Sequence, residues 1–252
     1  MGAWRARLAG RLLHPGDRCS DSRVVNGLLL IAGFVVLASV AAYLSYYFKQ
    51  RRRAALALMA RQLDMEYSPQ DEVGCLNYPF TLLARGDGRG TENVVWGAWQ
   101  GVPMTEFDYW YYEESTDSNG HRSRTYYRFS CAVTQIAAQC ARLSLDREGV
   151  LSRLADHVGL HDIEFESDDF NRRFNVKCTD RKFANDLIDP RMMQWLLGVD
   201  GAFRFEVSGT WVLCYSSRLR PVDLVPLLGS AKQFVDHVPR VVFELYGTGA
   251  AR

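Results

Sequence analysis

A charge-free run near the N-terminus constrains this chain more than any other feature. Residues 24–48 carry no charged side chain, and the inner part, LLLIAGFVVLASVAAYL, is almost wholly apolar. A helix needs about 20 such residues to cross the roughly 30 Å hydrocarbon layer of a bilayer, where it satisfies its own backbone hydrogen bonds. The aromatic residues at its end, Tyr43 to Phe48, are typical of a membrane interface. The run predicts a transmembrane helix, with the lipid bilayer as its partner.

Two other interpretations fit the run less well. A secretory signal peptide has an apolar core of about 7–15 residues and ends in small residues, whereas this run is longer and ends in cations. A buried core helix of a soluble protein seldom lacks charges over such a length. The anchor is therefore expected to stay uncleaved.

The cations beside the run predict its orientation. Four of them follow its C-terminal end within five residues, and three arginines lie further back among residues 11–23. Positive charge is enriched on the cytoplasmic side of membrane helices. The bias predicts a single-pass cell-membrane protein whose soluble domain is cytoplasmic. The membrane-flanking cations are Lys49, Arg51, Arg52 and Arg53.

Length and composition predict one folded domain after the anchor. The chain has 252 residues, of which 48% are hydrophobic and 23% charged, enough for a packed core. The net charge of +1 gives no general attraction to nucleic acid, so no nucleic-acid partner is expected. The predicted division starts with an N-terminal tail (1–23), which is either cytoplasmic or external. It continues with the transmembrane helix (24–48), a juxtamembrane helix (49–68), the soluble domain (69–247) and a short tail (248–252).

Aromatic residues concentrate in a predicted hairpin. Residues 102–113, VPMTEFDYWYYE, and 124–133, RTYYRFSCAV, flank a polar stretch that contains Asn119-Gly120, a strong hairpin signal. Aromatic pairs across such strands stabilise a ribbon. The hairpin is a candidate interaction surface, with these side chains as its candidates: Tyr109, Trp110, Tyr111, Tyr112, Tyr126 and Tyr127.

The remaining pattern predicts an α+β fold with a mainly antiparallel sheet and packed helices, because strands come in blocks joined by short turns. Ser208-Gly209 predicts a second hairpin, and Pro190 predicts that a new helix opens at Arg191 after one capped by Asp180. Arg85 to Gly90 reads as a loop between strands. Further predicted helices are 51–66, 148–158, 181–197 and 221–238; further predicted strands are 92–100, 141–145, 163–165, 170–178, 203–208 and 210–216.

Three charged groups are weighed as sites. His157 and His161 have the i, i+4 spacing of a helical metal pair, but Gly159 between them favours a solvated helix end. The acidic run from Glu164 to Asp169 alternates with apolar residues, as on the wet face of a strand. Charges on the two hairpin arms favour cross-strand pairs that set the register. These hairpin charges are Glu106, Asp108, Glu113, Glu114, His121, Arg122, Arg124 and Arg128.

The cysteines and the missing motifs point away from catalysis. None of the six cysteines forms C-x-x-C, and most have apolar neighbours, so small buried thiols are expected, with disulfides or metal binding as alternatives. No nucleophile elbow, phosphate loop or dinucleotide fingerprint is present. We expect no cofactor and no enzyme activity. The cysteines are Cys19, Cys75, Cys131, Cys140, Cys178 and Cys214.

Three segments carry a family resemblance. DDFNRRFNV (168–176), TDRKFA (179–184) and DPRMMQWLL (189–197) combine F-x-x-x-F-x-V with a P-x-x-M-x-x-L helix. They resemble a family of uncharacterised bacterial, actinobacterial-like membrane proteins, a domain of unknown function. The resemblance implies a one- or two-span anchor, no known activity and no catalytic residue.

The sequence favours a non-enzymatic, membrane-anchored interaction or scaffold domain whose partner is another membrane or cytoplasmic protein. A lipid- or ligand-binding module at the membrane surface is the first alternative. An enzyme whose site forms only in three dimensions is the second.

Overall fold

A computed structural model describes residues 17–118, 120–147, 159–199 and 203–249, with side chains from Asn26 onward. The chain divides into two compact units, Met1–Arg51 and Arg52–Arg252. The predicted helix at 148–158 and the tails at 1–16 and 250–252 lie outside the described residues. The helices are α1 (Asp17–Gln62), α2 (Asp168–Arg173), α3 (Arg181–Leu187), α4 (Pro190–Gly198), α5 (Leu224–Asp236) and α6 (Arg240–Tyr246).

Helix α1 contains the apolar run. Its segment Asn26–Gln62 is long and apolar enough to cross a membrane, with a mean hydropathy of 2.4 in its most apolar window. No part of that window is buried inside the protein, and large side chains such as Leu30 and Phe34 are about three quarters exposed. Apolar surface of this extent is unusual on a soluble protein.

The last turns of α1 belong to the core of the second unit. Leu56, Met59 and Ala60 are buried there. The helix ends at Gln62, and the chain turns through Asp64 with φ 56°. The helix predicted to reach Glu66 is therefore too long, because Met65 N–H bonds back to Ala60 O at 2.8 Å and Glu66 already begins a strand.

The second unit is an α+β structure around an antiparallel sheet. Within the described residues the sheet has seven strands in the order β1-β2-β3-β4-β6-β5, and β7 also pairs with β4. The predicted fold class is confirmed. The strands are β1 (Glu66–Ser68), β2 (Gly88–Trp99), β3 (Val102–Thr116), β4 (Arg122–Arg147), β5 (His161–Ile163), β6 (Phe174–Cys178) and β7 (Arg204–Ser217).

Strand β4 is the long central strand of the sheet. Residues 129–134 of β4 lie between β3 and β7, and residues 143–145 lie between β6 and β7. The predicted separate strand at 141–145 is part of β4. The predicted hairpin through Ser208-Gly209 is wrong, because β7 runs on through Gly209, where φ of 59° forms a bulge opposite Cys140.

The aromatic hairpin is confirmed as β3 and β4. Thr116 pairs with Arg122, and Tyr112 pairs with Tyr126. Two helix predictions also hold, since Asp180 caps α3 and Pro190 opens α4. The strand predicted at 170–178 starts only at Phe174. Ser167 accepts a hydrogen bond from Phe170 N–H and thereby begins the short helix α2 instead.

Two apolar clusters lie on opposite faces of the sheet. The larger one packs helices α2–α6 and the end of α1 against the sheet, with Phe205 and Phe234 stacked at 4.8 Å. The smaller one contains Phe107, Tyr109 and Tyr111 of β3. It lies beneath residues 69–87, which we call the covering segment.

Gly86, at the end of the covering segment, provides a test of this packing. Gly86 and Gly120 share φ near 81°, but an added Cβ at Gly86 would lie 2.7 Å from Tyr111 and from Tyr112 O, whereas the space at Gly120 is open. We expect Gly86→Ala to cost about 2 kcal/mol more than Gly120→Ala in thermal unfolding, since both incur backbone strain but only the first overpacks. Equal losses would contradict this packing.

Candidate ligand-binding cleft

The covering segment is held by two buried or partly buried carboxylates. The first is Asp71, which accepts from Gly74 N–H at 2.8 Å and from the Thr91 hydroxyl at 2.6 Å. Although burial opposes it, these hydrogen bonds hold the pKa of Asp71 below its usual value. The bonds fix the short 3₁₀ turn Cys75–Asn77.

The second carboxylate is Glu206 of β7. Its Oε2 accepts from Thr81 N–H at 2.6 Å and its Oε1 from Leu82 N–H at 3.1 Å, at the start of the turn Leu82–Ala84. Glu206 is 3% exposed. Burial raises its pKa to about 7, although the two backbone hydrogen bonds act in the opposite direction.

A cleft of about 830 Å³ opens between the covering segment, β4 and β7. This is within the size range of small-molecule sites. Its lining combines apolar side chains with hydroxyl, amide and guanidinium groups. The lining residues include Leu76, Tyr78, Phe80, Leu83, Arg89, Gln139, Arg142, Ser208 and Trp211.

A second pocket, of about 410 Å³, adjoins the cleft. Tyr78 and Trp211 line both spaces, so the two pockets share one aromatic wall, and together we call them the groove. The second pocket is mainly apolar. Its other lining residues include Val73, Trp96, Pro103, Met104 and Val133.

Ring contacts and a hydrogen bond hold Tyr78 and Trp211, the aromatic pair that lines both pockets. The rings of Tyr78 and Trp211 meet edge to face with centroids 4.8 Å apart, and Tyr78 also stacks on Phe107 at 6.5 Å. The Tyr78 hydroxyl donates to Thr105 Oγ1 at 3.4 Å. Both side chains are half-buried, and both line the two pockets.

The described charged side chains that line the groove are all cationic. Arg89 and Arg142 are both exposed and line the larger pocket, while none of the described lining residues of either pocket is acidic. Arg89 donates to Ala84 O at 2.9 Å. Neither guanidinium has a salt bridge to a described carboxylate. The groove is therefore cationic at one end and apolar at the other.

A buried ion pair lies on the opposite face of the sheet. Arg52 Nε donates to Asp108 Oδ2 at 2.7 Å, and Arg52 Nη2 donates to Oδ1 at 2.6 Å. The side chains are only 12% and 4% exposed. Arg52 Nη1 also donates to Leu219 O at 2.6 Å. This two-pronged geometry is among the strongest available to a guanidinium and a carboxylate.

Further groups complete the hydrogen bonding of Asp108. Asn93 Nδ2 donates to Oδ2 at 2.9 Å, and Arg218 Nη2 donates to the same oxygen at 3.3 Å. Asn93 sits at a bulge of β2 with φ of 58°, which places its amide over β3. The carboxylate is thus paired and hydrogen-bonded, as burial requires.

Glu106 lies two residues before Asp108 on the same face of β3, but its carboxyl group has a different hydrogen-bonding environment. It is 0% exposed, and neither of its carboxyl oxygens has a hydrogen-bond partner among the described residues. Burial raises the pKa of Glu106 well above its usual value, and the negative charge of Asp108 adds to this, with Arg52 opposing.

The unpartnered carboxyl predicts a stabilising substitution. We expect Glu106→Met to raise the free energy of unfolding by about 1–3 kcal/mol, because an unsatisfied buried group is removed and the volume is kept. The gain should grow as pH rises above 4.5. The pKa of Glu106 is raised in the folded protein, so wild type loses stability as pH rises from the unfolded value of 4.5 towards that raised pKa. Thermal unfolding from pH 5 to 8 measures this, with exposed Glu113→Gln as control. Destabilisation at every pH would contradict it.

The six hairpin candidates divide between the two faces. Tyr109 and Tyr111 are at most 1% exposed in the smaller core, and Tyr127 packs against it. Tyr109 and Tyr111 are core residues because they lie on the covered side of the strands, and Tyr127 is partly buried beside them. The other three form an aromatic cluster on the opposite face, with centroids 5.4–6.5 Å apart: Trp110, Tyr112 and Tyr126.

The hairpin charges also divide. Glu114 and Arg124 are cross-strand partners with Nε to Oε1 at 2.8 Å, as predicted. The prediction is wrong for Glu106 and Asp108, because the strand buries both of them beneath the helical layer. His121 instead contacts Asp117 at 3.4 Å.

The membrane-flanking cations divide in the same way. Lys49 and Arg51 are exposed. The guanidinium of Arg52 is bonded to Asp108 and to the Leu219 carbonyl. Arg53 is half-buried, and its Nε is enclosed by protein.

The other candidate residues form no binding site within the part of the chain that the structure describes. His157 lies outside the described residues and His161 is exposed; the acidic side chains from Glu164 to Asp169 are exposed too, with Asp168 and Asp169 in the first turn of α2. No cluster of metal-ligating side chains occurs among the described residues. The described cysteines are unpaired and buried, as predicted, and burial raises the pKa of each: Cys75, Cys131, Cys140, Cys178 and Cys214.

The groove was not visible in the sequence, because it needs residues from five separate segments. One signal was present for the ion pair. Glu106 and Asp108 share the parity of Met104, and that parity places all three on one face of the strand.

Comparison with known proteins shows the fold alone. The structure resembles the crystal structure of the mycobacterial trehalose monomycolate transport factor A, TtfA, with a TM-score of 0.55 and 16% sequence identity. The match covers 75% of this chain and 93% of that one. No protein-family description and no curated protein matches the chain. The resemblance to a domain of unknown function stays a prediction.

Proposed function

We propose that this chain is a membrane-anchored, non-enzymatic accessory protein of lipid transport. The observation that carries the proposal is one exposed apolar helix followed by an α+β unit whose fold matches 93% of the crystallised chain of a transport factor. The groove supports it, since a cationic end and an apolar end together suit a lipid better than a polar metabolite.

We place the soluble unit on the cytoplasmic side of the cell membrane. Lys49 and Arg51 support this orientation, because both are exposed at the end of the apolar run. The proposed partner is another membrane or cytoplasmic protein. The aromatic cluster of Trp110, Tyr112 and Tyr126 is the surface we assign to it, since Tyr126 is 52% exposed.

Lipid distribution in the producing cells tests the function. The chain is depleted and the cells are given a pulse of ¹⁴C-acetate. The ratio of labelled lipid retained in the cell-membrane fraction to labelled lipid found in the other fractions should then rise severalfold. Lipid synthesis itself should be unchanged, because the chain is not an enzyme of that pathway. An unchanged ratio with complete depletion would overturn the proposal.

A matched pair of anchor variants controls that experiment. Leu37 lies within the apolar run and is 71% exposed. Leu37→Arg places a charge in the membrane at a cost of about 2.5–3.5 kcal/mol, so it should fail to restore the ratio. Leu37→Val should restore it.

A further inference from the structure

We propose that the groove binds an acyl-chain amphiphile with an anionic headgroup. The headgroup would lie at Arg89 and Arg142, and the acyl chain would pass Tyr78 and Trp211 into the pocket lined by Trp96 and Val133. This inference rests on the proposed function, which it deepens by naming a site and a class of lipid.

The cationic end specifies the sign of the headgroup charge. Arg89 comes from β2 and Arg142 from β4, so two separate strands direct guanidinium groups to one cleft. Neither has a described carboxylate partner, and no described lining residue is acidic. A phosphate or carboxylate headgroup would supply the missing counter-charge through charge-assisted hydrogen bonds. Gln139, Ser208 and the other polar lining groups add neutral hydrogen-bond capacity.

The apolar end specifies the chain. The described side chains of the second pocket are mainly aliphatic or aromatic, including Val73, Trp96 and Val133. Burial of methylene groups against such surface is favourable. A headgroup without a chain would leave this pocket in contact with water, and a chain without a charge would leave the two arginines uncompensated.

The aromatic pair lies where the two environments meet. Tyr78 and Trp211 line both pockets, and each combines an apolar ring with a polar atom. Such side chains are favoured where one end is apolar and the other wet. The ester region of a lipid, between headgroup and chain, has the same mixed character.

Photo-crosslinking tests the site directly. The full chain is inserted into phosphatidylcholine nanodiscs and exposed to a lysophosphatidic acid that carries a diazirine in its acyl chain. After illumination and proteolysis, mass spectrometry should find adducts on peptides that contain Trp96 or Trp211. The zwitterionic lysophosphatidylcholine analogue should label those peptides about tenfold less, because it offers the arginines no net charge.

Two pairs of substitutions sharpen the result. Arg89→Gln with Arg142→Gln should lower groove labelling by the anionic probe about tenfold. Arg181→Gln with Arg240→Gln removes two exposed arginines elsewhere and should leave the labelling unchanged. Near-ultraviolet circular dichroism should show the same unfolding midpoint for both double variants, which separates lost binding from lost folding.

Several outcomes would overturn the inference. Adducts confined to residues 26–48 would show that the groove takes no lipid. Equal groove labelling by both probes would remove the anionic headgroup, and competition by glycerol 3-phosphate at the probe's own concentration would remove the acyl chain. Each would leave the acetate-pulse result standing, so failure of this site is distinguishable from failure of the proposed function.

Discussion

Asp108→Asn is expected to destabilise the soluble unit by about 3–5 kcal/mol, because it leaves the buried Arg52 guanidinium without its counter-charge. Arg52 and Asp108 are 12% and 4% exposed, so water cannot take over the lost contacts. The Asn93 amide and Arg218 would also lose a charged acceptor. For a unit of this size the midpoint of thermal unfolding should fall by about 10 °C.

The matched control lies on the same hairpin. Glu114→Gln breaks the Glu114–Arg124 pair, which has similar geometry but is exposed. That midpoint should stay nearly unchanged, since exposed ion pairs are screened by water. Near-ultraviolet circular dichroism of the full chain in detergent follows the aromatic core of the soluble unit. Equal shifts of the unfolding midpoint for the two variants would show that the buried Arg52–Asp108 pair contributes no more to stability than the exposed Glu114–Arg124 pair.

Glu206→Gln is expected to remove a pH dependence of about 3 kcal/mol. The pKa of Glu206 is raised from 4.5 to about 7 by burial. The folded protein therefore holds its proton more tightly than the unfolded chain does, and wild-type stability falls as pH rises from about 4.5 to about 7. Glutamine cannot ionise, so the variant lacks this loss while keeping an acceptor for one backbone N–H.

The measurement is the difference in unfolding midpoint between Glu206→Gln and wild type from pH 4 to 8. It should move in the variant's favour by several degrees across this window and level off above pH 7. Hydrogen exchange at Thr81 and Leu82 should follow the same curve in wild type, because their N–H groups donate to this carboxylate. Parallel midpoint curves would contradict the assignment.

Local signals predicted much of the fold. The Asn119-Gly120 turn and the aromatic arms located the β3–β4 hairpin, Asp180 and Pro190 located two helix starts, and the charge-free run located α1. These features depend on residues near one another in sequence, where capping and turn preferences act directly.

The errors arose where distant residues decide the structure. Gly209 reads locally as a turn, but pairing with β4 along almost its whole length keeps β7 extended through a bulge. Glu106 and Asp108 read as surface charges until β3 is covered by the helical layer. The groove joins the covering segment to several strands, of which β7 lies more than a hundred residues away, so no local pattern predicts it.

Maleimide labelling combined with alkaline extraction is the most direct test of the anchored topology. The described cysteines are buried, so an impermeant maleimide should reach only Cys19, before the apolar run, and a new thiol at exposed position 217 made by Ser217→Cys. We predict that the chain stays in the membrane pellet after carbonate washing, that Cys19 is labelled in intact cells, and that position 217 is labelled only after permeabilisation. Release by carbonate, or labelling of position 217 in intact cells, would contradict a membrane-anchored protein with a cytoplasmic soluble unit.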